Sequence, residues 1–159
     1  MPIRVRAAEQ VDIEALARLW YDGWLDAHAT IVPLALVRLR TLENFNERMA
    51  AALGSVRVIG RCGAPAGFYI LKGDELYQFY VAAAFRGTGV AATLMADAES
   101  QLAAAGVTAA WLACAIGNDR AARFYEKRGW RRAGTVVTEA ETSNGSFALE
   151  VWRYEKVLR

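Results

Sequence analysis

The chain has 159 residues and a mass of 17.4 kDa, enough for one domain that buries about 68–70% of its unfolded surface without a disulfide or a metal. Hydrophobic residues make up 55% of it and charged residues 23%, which excludes a disordered tail or a low-complexity linker. The 19 basic and 17 acidic residues leave a net charge of +2, too balanced to indicate nucleic acid or an anionic membrane as the partner.

The chain contains no segment that predicts a membrane span or zinc binding. Its longest weakly polar stretch, residues 103–117, is shorter than the about 20 apolar residues that a spanning helix needs. Acidic residues stand where a signal peptide would have its apolar core. The two cysteines, Cys62 and Cys114, form no CxxC pair and have no histidine cluster beside them. We therefore expect no metal and a reduced, cytoplasmic protein.

Apolar periodicity and turn residues predict eleven elements. In chain order they are a strand at Ile3–Arg6, a helix with apolar positions from Val11 to Trp24 that Pro33 ends, a helix at Leu42–Leu53, strands at Val56–Gly60, Gly67–Lys72 and Leu76–Val81, a helix at Thr88–Ala105, a strand at Val107–Ile116, a helix at Asp119–Arg128, and strands at Trp130–Thr138 and Phe147–Val157. Gly54 is predicted at the C′ position of the second helix, Gly63-Ala64-Pro65 between the first two central strands, and Asn144-Gly145 in a type I′ turn. This order, βααβββαβαββ, predicts an α/β protein of the mixed α+β kind, with a mixed central sheet of about seven strands and helices on both faces.

The segment Arg86-Gly87-Thr88-Gly89-Val90-Ala91 lies between a predicted strand and a predicted helix. Glycines at such a turn let successive backbone N–H groups point at one place, where the helix dipole adds positive potential. This pattern indicates an anion site suited to a pyrophosphate, with Arg86 as a charged donor at its edge.

Two common phosphate-binding motifs do not fit this turn. A P-loop would need Gly-Lys followed by Ser or Thr, which the chain lacks. Gly87-x-Gly89-x-x-Ala92 fits a loose dinucleotide-binding pattern, but that fold needs an acidic residue about 20 positions later. The next predicted strand offers Trp111–Ile116, without a carboxylate.

Two blocks of sequence resemble the GCN5-related N-acetyltransferase (GNAT) family. Arg86-x-x-Gly89-x-Ala91 matches the family's Arg/Gln-x-x-Gly-x-Gly/Ala motif, and residues 118–130 resemble its second block, with an Asn, then Ala, then Phe-Tyr, then Gly and an aromatic residue. The order of strands and helices agrees over nearly the whole chain. The resemblance implies one N-acetyltransferase domain over residues 1–159, which moves the acetyl group of acetyl-CoA to a primary amine of a small molecule or peptide.

The resemblance also implies roles for particular residues. Those expected to bind the cofactor are Phe79, Tyr80, Val81, Arg86, Gly87, Thr88, Gly89, Val90, Ala91, Asn118 and Tyr125. Asn118 is independently expected to cap a helix N-terminus. Tyr125 is implied as the general acid that protonates the departing CoA thiolate, and a backbone N–H near Val81 as the donor that polarises the acetyl carbonyl.

The sequence leaves the general base open. Gln78 on the fourth strand cannot act as a base, so Glu75 and His28, the only histidine, are the candidates, and a water chain is an alternative. Trp20, Trp24 and His28 also fit one helical face, which predicts a core stripe. Cys114 is predicted to be a buried small hydrophobe without a covalent role.

The acceptor amine is not identified by any motif. By the family's fold it should contact residues 20–47 and 139–147, and acidic residues in these segments (Asp22, Asp26, Glu43 and Glu47 among them) favour a cationic amine. A non-catalytic acyl-CoA binding or sensing domain and a dinucleotide-dependent oxidoreductase remain alternatives. A homodimer is the default expectation for a small enzyme.

Overall fold

A computed structural model describes residues 4–158 as a seven-stranded sheet with the order β1-β2-β3-β4-β5-β7-β6. The strands are β1 Val5–Ala7, β2 Val56–Arg61, β3 Ala64–Lys72, β4 Glu75–Val81, β5 Ala109–Ala115, β6 Arg131–Thr142 and β7 Gly145–Val157. Neighbouring strands are antiparallel except β4 and β5, which are parallel. The predicted mixed sheet of seven strands is confirmed. Ile3, where the first strand was predicted to begin, lies outside the described residues.

Five α-helices accompany the sheet: α1 Ile13–His28, α2 Leu34–Leu39, α3 Leu42–Ala52, α4 Val90–Ala104 and α5 Asp119–Lys127. Helix α2 is not predicted by the sequence pattern. Pro33, predicted only to end the first helix, stands at the N-cap of α2, where its fixed φ suits the start of a helix. Within residues 4–158, none of these helices combines the length and apolar character that crossing a membrane requires.

The helices cover both faces of the sheet, as predicted. On one face, α1 and α3 bury Trp20 against Phe45 and Phe68, with ring centroids 5.1 and 5.7 Å apart. On the other face, Leu94 of α4 and Tyr125 of α5 belong to a separate apolar cluster. Burial on both faces explains why the central strands read as nearly continuous apolar runs.

Gly23 lets α1 approach β4 closely. A Cβ atom at this position would lie 2.8 Å from Cδ1 of Tyr80, closer than packed carbon atoms tolerate. Because Tyr80 lies near the carboxyl end of β4, this contact sets the distance between α1 and that end of the strand.

Asp12 anchors the start of the chain. Its two carboxylate oxygens accept hydrogen bonds from the Arg6 guanidinium at 2.8 and 2.9 Å and one from the Glu9 N–H at 2.8 Å. These bonds, above all those from Arg6, lower the pKa of Asp12 to about 2. One potential metal-ligating atom from each of Glu9, Asp12 and Cys62 lies within 4.8 Å of the other two. The carboxylate oxygens of Asp12 are already engaged in the ion pair with Arg6.

Three predicted turns differ in the structure. Gly54 lies in a short 3₁₀ turn and is not in the left-handed region, so the second helix has no glycine C′ cap of the predicted kind. β3 begins at Ala64, so the turn before it is shorter than predicted. In the last hairpin only Gly145 has a positive φ, whereas a type I′ turn needs one at Asn144 as well. The type I′ prediction is wrong, and β6 continues to Thr142.

Candidate active site

The parallel strands β4 and β5 are joined only where they begin. Their one register pair is Glu75–Trp111, whereas β5 pairs with β7 along its whole length, from Ala109 to Ala115. The strands therefore separate towards their carboxyl ends. This leaves the β4 edge beyond the pair without a strand partner, and its free backbone groups are available to a ligand.

The N–H of Val81 points towards this open edge. Ala82, the next residue, donates its N–H to Ala66 O on the opposite side, at 2.8 Å. Because successive residues of a strand direct their N–H groups to opposite edges, the Val81 N–H faces away from β3. The structure thus offers a backbone donor where the sequence analysis expected one.

The glycine-rich turn forms a concave end to this edge. Gly87 and Gly89 have φ values of +75° and +87°, and a Cβ atom at either would meet nothing within 4 Å. Gly89 is the N-cap of α4, so the helix starts at Val90 and the predicted start at Thr88 is wrong. Because the first intrahelical bond runs from the Thr93 N–H to Gly89 O, the N–H groups of the first turn remain free. Free N–H groups at a helix N-terminus suit an anion.

A groove of about 290 Å³ connects the turn with the open β4 edge. Eight of the eleven residues that were predicted to bind the cofactor line it: Phe79, Tyr80, Val81, Arg86, Gly87, Ala91, Asn118 and Tyr125. Thr88, Gly89 and Val90 belong to the turn but do not line this groove, and Val90 is buried. Open positive-φ glycines, free N–H groups and an unpaired strand edge are what the pyrophosphate and amide-containing arm of acetyl-CoA would need.

Arg86 and Arg120 share the carboxylate of Asp26, and Arg120 was not predicted as a site residue. Asp26 on α1 accepts hydrogen bonds from Arg86 at 2.9 Å and from Arg120 at 2.8 Å. These two bonds, with the one from Arg120 first, lower the pKa of Asp26. Two cations on one carboxylate leave net positive charge at the mouth of the groove. Arg120 lies two positions after Asn118 in the second sequence block. That closeness to a predicted cofactor-binding residue is the only feature of the sequence that could have indicated a role for it.

Asn118 is a helix cap, as predicted. Its Oδ1 accepts the Ala121 N–H at 3.4 Å at the start of α5, and it lines the groove as well. A contact between its side chain and a cofactor stays a prediction.

Tyr125 keeps its hydroxyl free. The side chain is buried, and its ring meets Phe79 and Phe124 edge to face, with centroids 6.5 and 5.8 Å apart. Within residues 4–158 the hydroxyl makes no hydrogen bond, and it is not among the side-chain atoms closed off from solvent, so it opens to the groove that Tyr125 lines. Burial raises the pKa of Tyr125, so the phenol keeps its proton at neutral pH. It is therefore available as a donor to a ligand.

A second cavity of about 170 Å³ lies beside the groove and shares five lining residues with it: Phe79, Tyr80, Asn118, Ala121 and Tyr125. It receives side chains from the two segments that were predicted to contact the acceptor, among them Trp24, His28, Arg40, Glu139 and Ala140. The two chambers meet at Tyr125, so two ligands could be brought together there.

The two candidates for the general base both line the second cavity. Burial raises the pKa of Glu75. His28 stacks on Trp24 with ring centroids 5.0 Å apart, and its Nδ1 donates to Trp24 O at 3.0 Å, which leaves Nε2 as the acceptor nitrogen. Burial lowers the pKa of His28 to about 4, so the ring is neutral at pH 7. Of the predicted core stripe, Trp20 and Trp24 are buried, whereas His28 is only partly buried and lines the cavity.

The neutral state of His28 makes the protein's stability depend on pH. The unfolded chain binds a proton near pH 6.5 and the folded protein only near pH 4, so acidification through this window favours unfolding. We expect the wild type to lose about 2 kcal/mol of unfolding free energy, relative to His28→Asn, between pH 7 and pH 4.5. Urea unfolding of both proteins at the two pH values measures this difference. An equal loss in both proteins would show that the imidazole is not held neutral.

Cys114 is unsuited to covalent chemistry. It is buried in β5, and burial raises the pKa of its thiol to about 12, so almost no thiolate forms at neutral pH. The prediction of a small buried hydrophobe is confirmed.

Comparison with known proteins places this fold in a large group. A model of the acetyltransferase (GNAT) family matches residues 14–130. Uncharacterized N-acetyltransferases from Mycobacterium bovis and Mycobacterium tuberculosis are 37% identical over 70 residues, which is 42% of this chain and 45% of each relative. The matched segment thus spans less than half the length of these relatives.

Solved structures share the fold at low sequence identity. A GCN5-related N-acetyltransferase from Rhodopseudomonas palustris superposes with a TM-score of 0.75 at 21% identity and covers 99% of this chain and 97% of its own. The PaiA N-acetyltransferase of Thermoplasma acidophilum, solved in complex with coenzyme A, has a TM-score of 0.68 at 19% identity and covers 99% of both chains.

Proposed function

Because this chain belongs to the acetyltransferase (GNAT) family, whose model matches residues 14–130, we propose that it transfers the acetyl group of acetyl-CoA to a primary amine. We take residues 1–159 as one catalytic domain. The observation that carries the proposal is the meeting of two chambers at Tyr125, one at the glycine-rich turn and one lined by Trp24 and His28 near the end of α1 and by Arg48 of α3. A ternary complex, in which the amine attacks the thioester directly, needs two such chambers that share one reacting point.

The groove would hold acetyl-CoA mainly by backbone groups. The N–H groups at the start of α4 would bind the pyrophosphate, with net positive charge from Arg86 and Arg120 at the mouth. The free edge of β4 at Phe79–Val81 would pair with the amide-containing arm. The PaiA protein, whose fold is similar, was solved with coenzyme A, which supports this assignment.

Acetyl-CoA would supply the acetyl thioester. The acceptor's amine nitrogen would form a bond to the thioester carbonyl carbon, and the carbon–sulfur bond would break. The Val81 N–H would donate to the carbonyl oxygen as negative charge develops there. Tyr125 would give its phenolic proton to the departing sulfur. A hydroxyl that no described residue engages and that opens to the groove is the kind of donor this step requires.

For removal of the amine's proton, the geometry favours His28 over Glu75. Glu75 lies six residues before Val81 along β4, about 20 Å at the rise of a strand, and a glutamate side chain cannot span that distance. His28 ends α1 beside the second cavity with Nε2 able to accept a proton. Its pKa near 4 makes it a weak base, so we propose that it passes the proton to water. Glu75 would act only through a water chain.

The proposal is tested by a thermal-shift screen with acetyl-CoA, longer acyl-CoAs and NAD, followed by an amine panel assayed for free CoA thiol. We expect acetyl-CoA to raise Tm in a concentration-dependent manner, NAD to leave it unchanged, and at least one amine to release the thiol. Stabilisation by NAD alone would overturn the assignment in favour of an oxidoreductase. Acetyl-CoA binding without transfer to any amine would favour an acyl-CoA sensing domain.

A further inference from the structure

Two arginines line the second cavity with hydrogen-bonding capacity left over. Arg40, just after α2, is only 4% exposed and donates to Asn44 Oδ1 at 3.0 Å and to the Glu141 carbonyl. Its Nε and one terminal nitrogen of Arg48, on α3, are buried and have no acceptor. Buried donors of charged groups are normally paired. These two atoms are closed off from solvent, so they show that the two guanidiniums are incompletely paired inside the fold and do not themselves mark the atoms that a ligand would touch.

No carboxylate in residues 4–158 forms an ion pair with either arginine. Glu141 is the carboxylate whose charge raises the pKa of Arg40. Its exposed carboxylate lies 4.0 Å from the Lys72 Nζ, and the hydrogen bond from Arg40 goes to the backbone carbonyl of Glu141. The guanidinium of Arg48 lies 4.2 Å from the centroid of the Trp20 ring, a contact that favours a cation without neutralising it.

Other titratable groups around the cavity do not compensate this charge. Glu75 and Glu139 also line the cavity, but within residues 4–158 neither forms an ion pair with Arg40 or Arg48. His28 is neutral at pH 7. Burial and the neighbouring Arg48 lower the pKa of Arg40 to about 10, so the Arg40 guanidinium is charged at neutral pH. Two like charges therefore face the cavity, a costly arrangement unless an anion joins them.

We propose, on the basis of the proposed function, that the acceptor amine carries a carboxylate and that Arg40 and Arg48 bind it. A guanidinium presents parallel N–H donors that match the two oxygens of a carboxylate. An amino acid is still the cationic amine that the acids of these segments were expected to favour. Of those acids, Asp22 is paired with Arg18 and Asp26 with two arginines at the groove mouth, while Glu43 and Glu47 do not line the second cavity. The acceptor class is thus the amino acids or molecules of similar charge.

The test uses matched pairs of acceptors: glycine, β-alanine, 4-aminobutyrate and L-phenylalanine, each against its own carboxamide. The amide keeps the shape and the amine but removes the charge. An α-carboxamide also lowers the pKa of its amine, so amine reactivity alone would favour the amide. For at least one pair we expect kcat/KM to be about tenfold higher for the acid, as one charge-assisted hydrogen bond predicts. Equal or higher values for every amide would overturn the proposal.

Arg48→Gln should abolish this preference, because it lowers kcat/KM for the acid by about tenfold and leaves the amide within about threefold. Arg48→Lys, which keeps the charge, should restore part of it. Arg18→Gln is the matched control: it removes one exposed arginine of α1 that pairs with Asp22 and should leave the preference unchanged. A preference that survives Arg48→Gln, or falls equally in the control, would contradict the proposal and leave Arg48 a packing residue.

Binding is measured separately, so that a failure of the proposed function can be told apart. Calorimetry with N-acetyl-L-phenylalanine and its amide, in the presence of CoA, should show tighter binding of the acid to the wild type and no difference in Arg48→Gln. This result supports the carboxylate site even if no amine is acetylated. If the protein binds acetyl-CoA but binds N-acetyl-L-phenylalanine and its amide with equal affinity, the carboxylate site is overturned while the proposed function stands.

Discussion

Tyr125→Phe is expected to lower kcat by roughly 10²–10⁴-fold if proton delivery to sulfur limits the rate, the usual range for a general acid. The substitution keeps the ring that packs between Phe79 and Phe124 and removes a hydroxyl that pairs with no described residue. Stability should therefore change by about 1 kcal/mol or less. Acetyl-CoA binding should survive, because backbone groups are proposed to hold the cofactor. The measurements are kcat with the best acceptor, the calorimetric Kd for acetyl-CoA and urea unfolding.

Tyr154→Phe is the matched control for this experiment. Tyr154 lies in the same apolar cluster, 6.0 Å from Tyr125 between ring centroids, but its hydroxyl donates to Glu126 at 2.6 Å and it lines neither chamber. Its loss should reduce stability more than activity. An unchanged kcat in Tyr125→Phe, or an equal fall in both variants, would remove Tyr125 from the mechanism. A smaller effect with acyl donors whose thiolates leave without protonation would support the assigned role.

Gly89→Asp is expected to weaken acetyl-CoA binding by well over tenfold. It places a carboxylate at the N-cap of α4, beside the N–H groups that are proposed to bind the pyrophosphate, and one lost charge-assisted contact already corresponds to about 1.5–3 kcal/mol. Calorimetric titration with acetyl-CoA measures the effect. Gly89→Asn, which has the same shape without the charge, should weaken binding less.

Gly106→Asp controls for backbone strain. Gly106 follows the other end of α4, has the same φ of +87° and likewise has nothing within 4 Å of a Cβ atom. Both variants force a side chain into the left-handed region, so their losses of stability share this cost, while only Gly89→Asp should lose cofactor affinity. A folded Gly89→Asp protein with normal affinity would show that the anion site lies elsewhere.

Much of the site could be predicted from interactions between residues that are close together in the sequence. The positive φ at Gly87 and Gly89 follows from the absence of a Cβ atom, and Asn118 caps α5 because its side chain reaches the N–H three residues later. Such features depend on neighbouring residues along the chain. The two sequence blocks therefore predicted most of the groove, although Thr88 was wrongly placed inside the helix.

The helix α2 escaped prediction because six residues carry too little periodicity and too few hydrogen bonds to form a helix alone. It is held by packing, with Leu36 buried at 1% exposure against the apolar cluster of α1 and α3. The type I′ prediction at Asn144-Gly145 failed for a related reason. The dipeptide permits that turn, but the pairing of Thr142 with Gly145 set by the long hairpin selects another.

The sequence by itself determined the order of the elements apart from α2, the glycine-rich turn before α4, the cap of α5 and the position of Tyr125 in that helix, because each depends on bonds and torsions within a few residues. Only the tertiary structure decided that β4 and β5 part after Glu75–Trp111, that Arg86 and Arg120 share Asp26 across 60 and 94 positions, and that Arg40 turns towards a carbonyl 101 positions away. These arrangements depend on sheet register and on the partners that burial leaves within reach of each charge. The proposed carboxylate site for the acceptor rests on the last of them.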